Sequence, residues 1–413
     1  MADELYQPPS FEDKYPSHIQ ARANEMLING DPYQFFIDNW QKSYAVINDD
    51  TSIGAMTLCT ISSTLISNSK GIHVKAGGAS GFGKSAGVTT MFSLFPPDKC
   101  MVSSMSAKAL YYMDLCEGTV LYIDDIDLSK VDIFTAIKQC TSSYQEVTKH
   151  TTGKKINTIP ARIGWILSSV DNFDDEQLDS RFVEVEVDNG IEKQLAILEK
   201  QKSRERVKVK AGEIDDDTLV CHCIWDLLSE DGLYDIRIPY AGAIHWLDTV
   251  HPRSFQLFAD LIRCIALYQI KQRECINGYY LATYEDFQRA KALYKKMEKS
   301  NGTKLNSKER AILEYLADKE QVSRADLIKH LSQFGYKQNN IITIIHGVEG
   351  KTGGLLNKVS GLQAEQLESE TGGYSRWHYS YTGGITSDGM TDSIILTDKD
   401  AIDETRKWQA EML

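Results

Sequence analysis

The residues with the clearest chemistry form one unbroken run, Gly78-Ala79-Ser80-Gly81-Phe82-Gly83-Lys84-Ser85. It satisfies G-x-x-x-x-G-K-[ST], the pattern of a loop that wraps phosphate groups. Glycines let the backbone curl so that its N–H groups face the anion, and the N-terminus of a following helix adds its dipole. Lys84 then reaches the β- and γ-phosphates, and the Ser85 hydroxyl takes one position on magnesium. The context is right for this. An apolar strand pattern over 71–76 precedes the loop and a helix-compatible run over 85–94 follows it. A chance match in a chain of average composition is on the order of one in a hundred.

Further along, Val120-Leu121-Tyr122-Ile123 ends in Asp124-Asp125. A buried strand delivers such carboxylates beside the phosphate loop. Asp124 is expected to hold magnesium through water, and Asp125 to orient or deprotonate the attacking water. A third apolar run, 163–167, leads into Ser168-Ser169-Val170-Asp171-Asn172. Strand alternation places Trp165, Leu167, Ser169 and Asp171 on one side. Ser169 or Asp171 is therefore the polar group expected at the γ-phosphate or the water, and the spacing leaves both open. Before that run, 143–160 reads as strand, tight turn at Thr152-Gly153, strand, a hairpin with Lys149, His150, Lys154 and Lys155 near its tip. A basic tip suits the phosphates of a nucleic-acid strand.

The elements that must position these residues follow from patterning. Short apolar runs at 72–74, 120–123, 163–167 and 183–187 alternate with helical segments, which predicts an α/β layer fold. Ahead of them, 18–66 is helical. Ile19, Ala23, Met26 and Leu27 make one stripe, and Phe35, Phe36, Ile37 and Trp40 a second. Asp31-Pro32 starts one of these helices, as cap and first-turn proline. A charged helical stretch spans 191–210, helices resume over 216–295, and Asn301-Gly302 marks a linker. Helices near 307–317, 323–332 and 338–347 then lead into a Gly-rich, β-prone tail, the order of a winged helix.

With 78–85, 120–125, the 169–171 region and Arg181 in this order, the chain resembles the AAA+ ATPases. The basic hairpin before the third strand narrows the resemblance to the MCM-like and superfamily-3 helicases of mobile genetic elements, including plasmids, phages and cassette elements. The resemblance implies a parallel-sheet P-loop core with flanking helices over 67–210. It implies an N-terminal helical segment over 18–66, a flexible arm over 1–17, a helical lid over 211–298 and a winged-helix domain over 305–413. ATP and Mg2+ are the implied cofactors. Arg181, in Leu178-Asp179-Ser180-Arg181-Phe182, stands where the family's arginine finger acts on a neighbour's nucleotide. Arg253, in His251-Pro252-Arg253-Ser254, stands at the family's sensor-2 position. Such proteins assemble as homo-hexamers that thread single-stranded DNA through the pore. No primase-like module precedes the ATPase, and the long DNA-binding N-terminal domain of MCM proteins is absent, so a primase or loader partner is expected.

Composition bounds the rest. A net charge of −13 argues mildly against a protein that coats nucleic acid and permits one that grips DNA through a few basic tips, so charge alone decides neither way. No apolar run is long enough for a membrane helix, and the start lacks a signal-peptide pattern, so a cytoplasmic protein without membrane contact is expected. The eight cysteines hold one close pair, Cys221-His222-Cys223, without the second cluster that zinc sites use, and read as free thiols. Two functions remain. One is an ATP-driven ring helicase or translocase. The other is an ATP-dependent loader or switch that assembles on DNA without unwinding it. The winged helix fits DNA contact or protein contact equally, because its third helix has Gln338, Asn339 and Asn340 but only Lys337 as a nearby cation.

Overall fold

The computed structural model describes residues 14–48, 50–78, 81–103, 113, 115–124, 131–141, 144, 147–152, 155–168, 181–188, 190–206, 214–246, 252–301, 311–313, 315–316, 319–333, 337–348, 352–358, 362–367, 376–381 and 394–412. The chain divides into two compact units. The first comprises Met1–Ile244, Pro252–Asn301 and Leu396–Leu413, the second His245–His251 and Gly302–Ile395.

The first unit opens with α1 (Ser17–Asn29), α2 (Pro32–Ser43) and α3 (Ser52–Ser63). The Asp31 carboxylate accepts the Gln34 N–H at 3.1 Å and Pro32 fills the first turn of α2, as the dipeptide predicts. Every residue of α3 is buried. Its hydroxyls tolerate this because Thr57, Thr60 and Ser62 each donate to the carbonyl one turn back, at 2.7, 2.9 and 2.7 Å. The expected arm at 1–17 lies outside the described residues up to 13. Its end is anchored: Tyr15 is buried and its hydroxyl donates to Asp226 at 2.8 Å.

Strands and helices then alternate: β1 (Val74–Gly77), α4 (Lys84–Phe92), β2 (Cys100–Ser103), β3 (Val120–Ile123), α5 (Val131–Cys140), β4 (Thr148–Thr152), β5 (Lys155–Ile159), β6 (Gly164–Ser168), β7 (Val183–Glu186), α6 (Ile191–Arg206) and α7 (Asp216–Glu230). Five strands form a parallel sheet in the order β2-β3-β6-β1-β7. Parallel sheets are covered on both faces, which is why these strands read as unbroken apolar runs. One face carries Val74 and Ala76, Tyr122, Ile166 and Ser168, and lies under α3. A side chain at Gly164 would meet Thr60 of that helix. The other face carries Leu121, Ile123, Trp165 and Leu167, packed with Ile137 and Cys140 of α5, Ile159 of β5 and Phe182. Lys75 and Glu184, register partners on β1 and β7, form an ion pair at 3.2 Å with almost no exposure. Burial costs such a pair most of its Coulomb gain, so it adds little net stability, while loss of one partner alone would leave a costly buried charge.

The unit continues through β8 (Ile236–Arg237) and, after β9 (His245–Trp246) of the second unit, α8 (Pro252–Tyr268). Strands β10 (Cys275–Ile276) and β11 (Tyr279–Leu281) join β8 in a small sheet, and α9 (Tyr284–Asn301) follows. The Ser62 and Tyr268 hydroxyls are hydrogen-bonded at 2.9 Å, tying α8 to the helix that backs the sheet.

In the second unit, helical turns at 311–313 and 315–316 precede β12 (Val322–Ser323), α10 (Arg324–Ser332) and α11 (Gln338–His346). Then come β13 (Gly347–Val348), β14 (Thr352–Gly353), α12 (Leu355–Lys358), β15 (Leu362–Leu367), β16 (Arg376–Tyr381) and β17 (Ile394–Ile395), which pairs with β9. Its three-stranded antiparallel sheet runs β12-β16-β15. The core gathers Ile312, Leu316, Leu327, Leu331, Ile341 and Tyr379. The last helix, α13 (Asp398–Met412), belongs to the first unit.

Candidate nucleotide site

The site lies where β1, β3 and β6 end. After Gly77 the chain turns through Gly78, whose φ of 116° is open only to glycine, and a side chain there would strike the Val187 carbonyl at 3.0 Å. Gly83, at φ 94°, caps α4 in the left-handed region without a side-chain bond, so the first N–H groups of the helix are left for the loop. Lys84 is largely buried and its Nζ donates back to the Gly78 carbonyl, spanning the loop it closes. Behind the loop, Tyr44 stacks on Trp40 at 4.4 Å and lies under the Lys193 ammonium at 4.0 Å. Burial holds the Lys193 pKa below the ordinary lysine range. On the open side, Gly81 and Phe82 face Gln194, Ile197, Leu198 and Gln201 of α6 across a cleft of about 310 Å³.

Hydroxyls converge on one carboxylate at the strand ends. Asp124 Oδ1 accepts from Ser85 Oγ at 2.9 Å, from Tyr122 Oη at 2.7 Å and from Ser168 Oγ at 2.6 Å. Tyr122 Oη also lies 3.1 Å from Ser85 Oγ. Ser85 and Asp124 therefore stand together, as the motif spacing predicts. Tyr122 and Ser168 are additional, and sequence reasoning missed both. The signal was present in the alternation. Tyr122 and Asp124 share a side of β3, and the pairing of Tyr122 with Ile166 puts Ser168 opposite Asp124. The polar residue of β6 at this corner thus projects from the face opposite to Trp165 and Leu167.

Of the remaining expected residues, Ala79, Ser80, Asp125, Lys154, Ser169 and Asp171 lie outside the described residues. Arg253 is the second residue of α8. Lys149, His150 and Lys155 fall on the β4–β5 hairpin, where Thr152 pairs with Lys155 so that two residues connect the strands. Lys149 is exposed, while Ile159 at the base is buried against α5. Arg181 stands just before β7, half-buried, and donates to the Lys138 carbonyl in the last turn of α5. It lies far from its own phosphate loop. Val183 pairs with Val74 at the start of β1, while Val187 meets Gly78 at the other end. Six residues of nearly extended chain separate Arg181 from Val187, roughly 20 Å. Beside Arg181, His73 packs between Tyr144 and Phe182 with centroids at 5.8 and 5.7 Å, and neither ring nitrogen has a hydrogen-bond partner. Burial, with the Arg181 charge adding to it, lowers its pKa to about 3. His222, between the two buried thiols of α7, is bonded to the Ser93 carbonyl at 3.0 Å.

The family model described as MTBMA_p00010 P-loop domain matches residues 17–231, more than half of the chain. The chain belongs to this P-loop family. No curated protein matches it closely enough to count as a relative. The match begins with α1 and ends just past α7, so it spans the N-terminal helices together with the sheet. A five-stranded parallel sheet with helices on both faces is the α/β core of a P-loop domain, a fold that binds nucleotides. The donors suit the divalent ion that accompanies such nucleotides. Ser85 Oγ and Asp124 Oδ1 are hard oxygens 2.9 Å apart beside the loop, the chemistry magnesium selects. No helix among the described residues is long and apolar enough to cross a membrane.

Proposed function

We propose that the chain hydrolyses ATP with Mg2+ and works as a ring on DNA, as a helicase or translocase in the replication of a mobile element. The observation that carries this reading is the position of Arg181. It lies roughly 20 Å of chain from its own phosphate loop, so Arg181, if it is the finger, acts on the nucleotide of a second copy. A contact in which one surface of a subunit meets a different surface of the next gives a ring where its rotation closes, and the homo-hexamer is the form expected here. The hairpin supports a grip on a strand. It is inserted between α5 and β6, and it carries Lys149, His150, Lys154 and Lys155. Its base packs on the helix that holds Arg181 through the Lys138 carbonyl, so a shift of the finger toward a neighbour's phosphate acts on the root of the hairpin.

In this reading Lys84 and the loop N–H groups bind the phosphates, and Ser85 and Asp124 hold the ion. Asp125 and either Ser169 or Asp171 act on the attacking water, and Arg253 reaches the nucleotide from α8. The helices after the core serve as a lid. The second unit supports a winged helix. Its order is helical turns, strand, two helices, a short strand pair and a four-residue helix, then a two-stranded ribbon, with β12 paired to the ribbon. Gln338, Asn339 and Thr343 lie exposed on α11, side chains able to meet base edges. A primase or loader would supply the start on DNA, in the cytoplasm. The test is ATP turnover with and without single-stranded DNA, in the wild type and in a Lys154→Ala/Lys155→Ala variant. Stimulation by DNA that disappears in the variant is expected. Intact basal turnover with no stimulation in either protein would replace the motor by an ATP-dependent loader or switch.

A further inference from the structure

We propose that Tyr122 is a positioning residue for the divalent ion, its phenol holding Asp124 and Ser85 in the arrangement the ion requires. This rests on the nucleotide-site reading above and adds to it a residue that the phosphate-loop and carboxylate motifs do not include. A strand buried on both faces takes apolar side chains, and Val120, Leu121 and Ile123 obey that rule. Tyr122 is as buried as they are yet carries a hydroxyl, which must find partners or cost about 1–3 kcal/mol. Among all the carbonyls of the sheet, its oxygen instead meets the two residues that would ligate the ion, Asp124 at 2.7 Å and Ser85 at 3.1 Å.

The geometry is a closed triangle. Ser85 Oγ, Tyr122 Oη and Asp124 Oδ1 lie 2.9, 2.7 and 3.1 Å apart along its edges. Two hydroxyl hydrogens serve these three edges. Both favour the carboxylate, because bonds to an ionised acceptor are the stronger ones. Tyr122 shares its hydrogen with Ser85 Oγ along the longer 3.1 Å edge, and Ser85 keeps a second lone pair for a cation while its own hydrogen stays on Asp124.

The ring itself is fixed in place. Phe92 meets it edge-on at 6.4 Å, and Phe92 belongs to α4, the helix that also carries Lys84 and Ser85. Strand β3 and helix α4 are thereby joined at the ring face and again at the hydroxyl. Magnesium demands near-ideal octahedral geometry, so a carboxylate and a hydroxyl held ready bind it better than mobile ones. Losing an outer partner of this kind costs about 10- to 100-fold in metal affinity.

The variant Tyr122→Phe keeps the ring, its volume and the Phe92 contact, and removes only the oxygen. The measurement is the affinity for a fluorescent, non-hydrolysable ATP analogue, titrated in EDTA and across a Mg2+ series, for wild type and variant. We expect equal affinity in EDTA and a Mg2+ requirement raised about tenfold in the variant. An unchanged Mg2+ requirement would overturn the proposal, because the phenol would then only fill the core. So would an equal loss of affinity in EDTA and in Mg2+, which would make the hydroxyl a support of the loop itself. If the wild type binds the analogue no better with Mg2+ than without, the nucleotide-site reading fails first, and the two failures remain distinct.

Discussion

The two ends of the sheet are built on opposite plans. Where β1, β3 and β6 finish, polar groups gather: three hydroxyls meet one carboxylate, and a lysine folds over the glycine loop. Where β1 and β7 begin, aromatic rings enclose a histidine without hydrogen-bond partners, Arg162 lies over the Tyr144 ring at 5.0 Å, and Arg181 is turned to the α5 carbonyl. The first end is organised to bind phosphate and a cation within one chain. The second is built mainly of aromatic rings, with Arg181 half-buried at its margin. In the proposed reading, phosphate and ion binding lie within one chain, while Arg181 serves the turnover of another, so the two are separable.

Variants at the two ends should break this contrast in different ways. Lys84→Ala removes the cation from the phosphate end and should abolish ATP turnover, and normal hydrolysis by that variant would contradict the assignment of the loop. Arg181→Ala should lower kcat about a thousandfold while leaving the nucleotide Kd unchanged. A matching loss of binding would instead place Arg181 in the packing of its own subunit.

The smallest effect concerns the apolar end. His73 is held neutral, its pKa lowered from the ordinary 6.5 to about 3 by burial first and the Arg181 charge second. The unfolded chain binds a proton there below pH 6.5 and the folded chain does not. The stability this gives is therefore complete above pH 6.5 and is lost as the pH falls toward 3. By pH 4 the loss amounts to roughly 3 kcal/mol. His73→Phe should flatten the acid limb of denaturant stability by about that amount, measured at pH 7 and pH 4. An acid limb as steep as in the wild type would assign the titration to other groups.

Much of the binding end was legible in the amino-acid order. The glycine pattern placed the loop and the start of α4, because few conformations satisfy those positive φ angles. The run 120–123 matched β3, and Asp31-Pro32 marked the start of α2, since capping is a local interaction. Tyr122 and Ser168 were not legible as site residues. A tyrosine in an apolar run reads as core, and a serine at a strand end reads as the start of a loop. Their meaning depends on strand register, which joins residues far apart in the chain. The ion pair of Lys75 with Glu184 escaped for the same reason, as did the return of α13 to the first unit. The position of Arg181 relative to the loop likewise emerged only once β7 was paired with β1.

The central claim is that the nucleotide site is completed by a second copy of the chain. Mixing Lys84→Ala with Arg181→Ala subunits, each inactive alone, tests it directly. Each preparation retains what the other lacks, and in an equal mixture random assortment pairs an intact loop with an intact finger at roughly a quarter of the interfaces. ATP turnover that reappears on mixing, near that fraction of the wild-type rate, is the predicted result. A mixture as inactive as its components would mean that Arg181 acts within its own subunit or not at all.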